Sequence, residues 1–183
     1  RVVDHHDVFA GFERHLPTFN SRSIISMLWR IPGLAERFVY FNDDFFLLRD
    51  VAPTDFFRGD KVVERGSWRP QARFRWDKRL ARMLGRNARE GDDKAGNHVA
   101  QELSARIAGF DRAYFRLYHN PFPFRVSTMA AFFGAQPQLL EENASYRLRS
   151  GKQFKAESLD AHLQFAQGRA EADNQLRVVQ LKP

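Results

Sequence analysis

Residues 36–44 read Glu36-Arg37-Phe38-Val39-Tyr40-Phe41-Asn42-Asp43-Asp44. The run Phe38 to Phe41 is short, β-branched and aromatic, and it does not alternate with polar residues, the pattern of a strand covered on both faces. It stops abruptly at two acids, and apolar character resumes at Phe45-Phe46-Leu47-Leu48. Acids at the carboxyl end of such a strand stand where open α/β sheets bind ligands. Immediately upstream, Ile24, Ile25, Leu28, Trp29 and Ile31 recur at helical spacing, which predicts a helix over 22–31 with Asn20 or Ser21 as N-cap and Pro32-Gly33 as the stop. Helix followed by buried strand makes the chain α/β, with a mixed central sheet flanked by helices.

Working outward, Arg1 to Asp4 reads as a short strand, followed by a polar turn over His5, His6 and Asp7. Lys61 to Val63 reads as a strand. Helices are expected over 77–88, 97–108, 126–133 and 159–167, and Pro121 and Pro123 force the chain around His119 into an extended form. No repeat or low-complexity tract divides the 183 residues, so a single domain over 1–183 is expected. Arg1 opens straight into apolar sequence, which reads as a cut inside a longer protein. No apolar run approaches the roughly 20 residues a membrane helix needs, so a soluble chain is expected.

The absence of cysteine excludes disulfides, thiolate nucleophiles and cysteine-ligated zinc or iron–sulfur sites. Lys and Arg number 29 against 22 Asp and Glu, a formal charge of +7, which suits polyanions, phosphorylated ligands or an anionic membrane face. Part of that charge lies between Arg65 and Arg89, interleaved with Trp68, Phe74 and Trp76. Such a patch can stack on single-stranded nucleic acid, but no recognised motif accompanies it, so no nucleic acid is expected and a solvated face is the simpler reading. Walker, Gly-x-Gly-x-x-Gly, Gly-x-Ser-x-Gly and His-Glu-x-x-His motifs are missing, which removes ordinary P-loop enzymes, dinucleotide dehydrogenases, α/β-hydrolases and zincins.

Three constellations remain for chemistry. Adjacent Asp43 and Asp44 repel unless a cation or hydrogen-bond donors compensate. Mg²⁺ or Mn²⁺ suits them, since such ions take one or two protein carboxylates and complete their shell with water and phosphate; the same pair also reads as a turn cap. His119, in its Pro-bracketed segment, has the imidazole that takes a proton from a hydroxyl nucleophile, or is a plain loop histidine. Arg147 and Arg149 alternate across Leu148, so an extended 146–150 turns both guanidiniums to one side, fit for a diphosphate or for solvent on an edge strand.

Leu16 to Ile24, then Arg30-Ile31-Pro32-Gly33-Leu34, then Glu36 to Asp44, closely resembles the second conserved region of the Stealth family of sugar-1-phosphate transferases. Tyr118-His119-Asn120-Pro121 resembles its third region. Asn143 to Ser150 with the helix at Leu159 to Phe165 resembles its fourth, more loosely. The likeness spans 1–60 and 110–168 and leaves 61–109 as a variable basic insertion, with 110–183 as the closing portion. The family's first region and the upstream half of its second are missing, so the resemblance implies the carboxyl portion of a larger transferase. It also implies a fold like part of a GT-A-like nucleotide-sugar transferase domain.

The resemblance further implies that a hexose-1-phosphate passes from a nucleotide-sugar donor to a hydroxyl of a saccharide acceptor, forming a phosphodiester in capsule or exopolysaccharide synthesis. Asp43 or Asp44 then holds the metal or orients the acceptor, His119 is the base or phosphoryl donor, and Arg147 or Arg149 neutralises the diphosphate. Asn20, Ser21 and Asn42 shape the pocket, and Arg22 touches phosphate. A cytoplasmic location follows, with peripheral contact at the inner membrane face compatible with the basic surface. Two rivals stand beside it: a non-catalytic polyanion-binding module on a degenerate scaffold, and an ordinary glycosyltransferase.

Overall fold

A computed structural model describes residues 1–74 and 96–176. Helices are α1 (His5–Val8), α2 (Ser21–Ile25), α3 (Asn97–Ile107), α4 (Val126–Ala135), α5 (Pro137–Ser145) and α6 (Ala156–Ala166). Strands are β1 (Arg37–Tyr40), β2 (Phe57–Arg58), β3 (Lys61–Glu64), β4 (Gly66–Pro70), β5 (Ala113–Leu117), β6 (Phe122–Arg125) and β7 (Ala170–Ala172). The strands are short and fall into three small sheets rather than one central sheet. β1 pairs antiparallel with β6, β3 lies between antiparallel β2 and parallel β7, and β4 pairs antiparallel with β5.

The chain bends between β3 and β4 at Arg65. Gly66 takes the bend because a Cβ there would lie 2.3 Å from the Arg116 carbonyl oxygen. Its backbone is matched by one side chain: Asn174 Oδ1 accepts the Gly66 N–H at 3.0 Å and Asn174 Nδ2 donates to the Gly66 carbonyl at 3.1 Å.

The core wraps around α6, in which 8 of 11 residues are buried. Phe115, Phe124, Phe154, Met129 and Leu159 are each no more than 2% exposed and pack in one cluster about it. A buried Phe or Leu of this kind contributes roughly 2–3 kcal/mol. So enclosed a helix satisfies its polar groups internally only in part, since Glu157 Oε2, Asp160 Oδ2 and Gln164 Oε1 lack a hydrogen-bond partner among the described residues. His162 Nε2 accepts the Phe115 backbone N–H at 2.8 Å, which leaves the proton on Nδ1 to donate to the Ser158 carbonyl at 2.5 Å. Gln164 Nε2 donates to Thr128 Oγ1 at 2.7 Å.

Several expectations are revised. Residues 1–4 form no strand; Asp4 instead caps α1, accepting the His6 N–H at 2.8 Å. The helix expected over 22–31 ends at Ile25 and resumes as a 3₁₀ turn over Leu28–Arg30. Ser26 Oγ donates to the Ser23 carbonyl at 2.7 Å and Trp29 Nε1 to the Ser26 carbonyl at 3.0 Å, so side chains compete with the helical ladder. β1 is only half-buried, because its one strand partner is β6 and its rings stack across that pair, Phe38 on Phe124 at 5.2 Å. Residues 146–150 form no strand, with bends at Arg147 and Leu148. The helix expected over 77–88 lies outside the described residues. The helices expected over 97–108, 126–133 and 159–167 are present. On α3, however, Val99 is exposed, and the small residues Ala100 and Ser104 are buried instead, in the helix that packs on α6. No helix among the described residues is long and apolar enough to cross a membrane.

Candidate active site

The β1–β6 register decides what meets at the end of β1. Tyr40 lies opposite Phe122, so the residues following Tyr40 and those preceding Phe122 leave the ribbon at the same end. After Phe41 a tight turn closes with the Asn42 carbonyl accepting the Phe45 N–H at 3.1 Å, leaving Asp43 and Asp44 at its exposed centre. Phe45 folds back with its ring 6.4 Å from Phe122 and edge-on to His119 at 4.6 Å. His119 Nε2 then lies 3.0 Å from Asp44 Oδ2, although the two residues are 75 positions apart. Both are substantially exposed, at 43% and 60% of their side chains. A contact so open to water contributes little to stability, and its placement therefore costs little to use in chemistry.

A second cluster forms at the start of α2. The Asn20 side chain caps the helix by accepting the Arg22 N–H at 3.1 Å. Its Nδ2 faces the carbonyls of Tyr146 at 3.0 Å and Leu148 at 2.9 Å, and Gln153 Oε1 at 2.7 Å. Phe19 N–H adds a bond to the Arg147 carbonyl at 3.3 Å. With the loop latched in this way, Arg149 Nη2 donates to Ser21 Oγ at 3.0 Å and Arg22 Nη1 to the Ser150 carbonyl at 2.8 Å. Arg22 is buried, 5% exposed, and is no surface residue. Burial holds its pKa below the usual guanidinium range, with Arg149 acting in the same direction and Glu157 opposing.

The two clusters share neighbours. Lys155 Nζ lies 5.6 Å from the centre of the Phe122 ring and 3.3 Å from Glu157 Oε1. Tyr40 stacks on Phe122 at 6.5 Å. Its hydroxyl is pushed up to about 12, chiefly by burial and then by Glu157, Asp43 and Asp44. One phenol thus senses the acids of the β1 turn and the acid at the head of α6. Tyr40, Lys155 and Glu157 were not singled out from sequence; an acid in the first turn of a helix ordinarily reads as a response to the helix dipole.

Of the expected residues, the structure joins Asp44 with His119, and Asn20, Ser21 and Arg22 with Arg149. Asp43 stands beside Asp44 on the turn, and Asn42 supplies the carbonyl that closes it. Arg147 differs from expectation: it offers its carbonyl to Phe19, its guanidinium is exposed, and the bend at 147–148 removes the alternation that would have aligned it with Arg149. Arg65, counted in the basic patch, is 2% exposed, with its guanidinium 5.3 Å from the Phe56 ring. Among the described residues no three His, Cys, Asp or Glu side chains form a group suited to a metal ion. The exposed Asp43 and Asp44 carboxylates still fit a cation such as Mg²⁺ that keeps water and phosphate for the rest of its shell. Two cavities, of about 220 Å³ between α3 and α5 and about 550 Å³ beside β4 and β5, are lined by other residues.

Residues 1–65 match the family model described as Stealth protein CR2, conserved region 2. Over these residues the chain is similar to the Stealth family. An exopolysaccharide phosphotransferase of Streptomyces coelicolor is 56% identical over 57 residues, which is 31% of this chain and 10% of that protein. An exopolysaccharide phosphotransferase of Lactiplantibacillus plantarum is 54% identical over 59 residues, 32% of this chain and 17% of that protein. The human N-acetylglucosamine-1-phosphotransferase subunits alpha/beta are 47% identical over 64 residues, 33% of this chain and 5% of that protein. The stretch that aligns thus spans a small part of each relative's length. The family-model match over residues 1–65 contains Asn20, Ser21, Arg22, Asn42, Asp43 and Asp44, while His119 and Arg149 lie outside it and join it only through the fold.

Proposed function

We propose that this chain supplies part of the catalytic surface of a phosphotransferase that moves hexose-1-phosphate from a nucleotide-sugar to a saccharide hydroxyl, in capsule or exopolysaccharide synthesis. The observation that carries the reading is the 3.0 Å contact between His119 Nε2 and Asp44 Oδ2. With its Nε2–H held by the carboxylate, the imidazole presents Nδ1 as the acceptor, the arrangement of a general base oriented by an acid. The acceptor hydroxyl gives its proton to His119 Nδ1, its oxygen bonds to the phosphorus bearing the hexose, and the bond from that phosphorus to the departing nucleoside monophosphate breaks. Phosphoryl transfer relies on positioning and charge neutralisation, and Arg149, held by Ser21, is the guanidinium placed to supply it. Asp43 and the free oxygen of Asp44 would hold Mg²⁺ or Mn²⁺, which when bound neutralises diphosphate charge.

The test is release of nucleoside monophosphate from nucleotide-sugars, with an acceptor saccharide and Mg²⁺ or Mn²⁺, by the intact protein that carries this chain. D44N, H119A and R149A should each lower the rate on the order of 10²-fold or more. Release of nucleoside diphosphate instead would make the enzyme an ordinary glycosyltransferase. Full turnover by all three variants would remove the site assignment.

A further inference from the structure

The β4–β5 ribbon carries a second concentration of positive charge. Its register sets Ser67 opposite Arg116 and Arg69 opposite Tyr114. Directly opposed residues share a face, so Arg69 and Arg116 are diagonal neighbours on one side, about 7–8 Å apart at the backbone. That face and the first turns of α3 flank a partly open cavity of about 550 Å³, whose lining includes Arg69, Arg116, Tyr114, His98 and Glu102. The volume lies within the roughly 300–1,000 Å³ typical of small-molecule sites. Among the described residues neither guanidinium has a hydrogen-bond or ion-pair partner. Glu102, the acid in the lining, is partly engaged, its Oε2 accepting the Ala72 N–H at 3.3 Å. The first turn of α3 opens without a side-chain cap. Two guanidiniums and an imidazole face one cavity, and their mutual repulsion is relieved when an oxyanion enters.

We infer that this cavity binds a phosphate group, from a phosphate ester or free phosphate, at a site separate from the Asp44–His119 centre. Arg69 and Arg116 grip the phosphate oxygens, His98 adds a hydrogen bond, and Glu102 weakens binding by like-charge repulsion. The His98 imidazole is held below its ordinary range by burial and then by Arg116, with Glu102 opposing; a bound phosphate reverses that balance. The site does not depend on the reaction assigned to Asp44 and His119.

The experiment follows the His98 imidazole nitrogens by NMR while glucose 1-phosphate is added at fixed ionic strength, with inorganic phosphate as a second arm. The expected result is a saturable shift with a rise in the His98 pKa, and binding about tenfold or more weaker in R69Q and R116Q. E102Q should bind more tightly, a change in the opposite direction that partial unfolding cannot produce. D44N should bind like the wild type, so failure of the transferase reading leaves this result intact. Tighter binding of glucose 1-phosphate than of inorganic phosphate supports a phosphate ester as the ligand, and equal or weaker binding supports the free ion. A non-saturable drift that sodium chloride reproduces, or a response unchanged in R69Q and R116Q, overturns the site itself.

Discussion

The imidazole of His162 gives the sharpest prediction, because its environment fixes both tautomer and charge. Nε2 is occupied by the Phe115 N–H and Nδ1 by the Ser158 carbonyl, so a second proton has no acceptor to bond with. Burial, the dominant effect, lowers its pKa from 6.5 to about 4, with the Ser158 carbonyl opposing. The unfolded chain therefore binds a proton that the folded chain refuses between those two values. The stability contributed by neutral His162 is fully present above the unfolded pKa of 6.5 and is lost as pH falls toward 4. At about 1.4 kcal/mol per pKa unit the loss is roughly 3 kcal/mol. Urea unfolding of the wild type and of H162Q, compared from neutral pH down to the folded pKa, isolates this group from the other acids. The difference between the two should change by that amount, with the wild type losing more as pH falls. A difference that stays flat, or an imidazole that NMR shows titrating near its ordinary value in the folded state, refutes the argument.

Asn20→Ala removes the donor that faces three acceptors on the 146–153 loop, and should cost about 2–4 kcal/mol by denaturant unfolding while lowering monophosphate release in the intact protein, since Arg149 loses its mooring. Gly66→Ala forces a Cβ against the Arg116 carbonyl and should destabilise by about 1–3 kcal/mol, read as a lower Tm, whereas the same change at Gly134, with open space around it, should not. Glu64 is fully buried beside Asp160, and its carboxyl is pushed well above the usual value of 4.5, chiefly by burial. The folded state therefore keeps a proton that the unfolded state releases, and the wild type loses stability as pH rises past 4.5. Glu64→Gln should be the more stable chain at neutral and alkaline pH, by a margin that grows with pH; a margin independent of pH would contradict the assignment.

The strand Arg37–Tyr40 and its acidic turn were legible because aromatic and β-branched residues bounded by polar ones leave few alternatives. The helix at Asn97–Ile107 was legible from its stop at Gly109, although the face it buries was only partly so. Of the apolar residues at four-residue spacing, Leu103 and Ile107 pack against the core while Val99 is exposed, and the small residues Ala100 and Ser104 are buried as well. The pairing of Asp44 with His119 could be suspected from residue chemistry but not located, since it depends on the β1–β6 register, which no local pattern encodes. Arg147 misled for a complementary reason: Arg-Leu-Arg alternates as a strand does, but here the carbonyls of residues 146–148 are claimed by Asn20 and Phe19. Arg65 looked like surface charge because composition does not show that a guanidinium can lie against a buried ring.

The candidate site is built from two independent supports that meet at the head of α6. The Asp44–His119 pair depends on the β1–β6 ribbon, and so on ring stacking across it. Arg149 depends on a hydrogen-bonded latch whose every acceptor except Gln153 Oε1 is a backbone carbonyl. Neither support fixes its position relative to the other. That task falls to the residues just before and within the first turn of α6, where Lys155 lies over the Phe122 ring and Glu157 reaches electrostatically to Tyr40 and Arg22. α6 is the most enclosed helix among the described residues, so its first turn is a stiff reference for both clusters. Seating loops that carry exposed, weakly bound groups against a rigid buried helix would reconcile two needs of the proposed phosphoryl transfer: side chains open to large substrates, and phosphate-binding charge held in fixed register with the base.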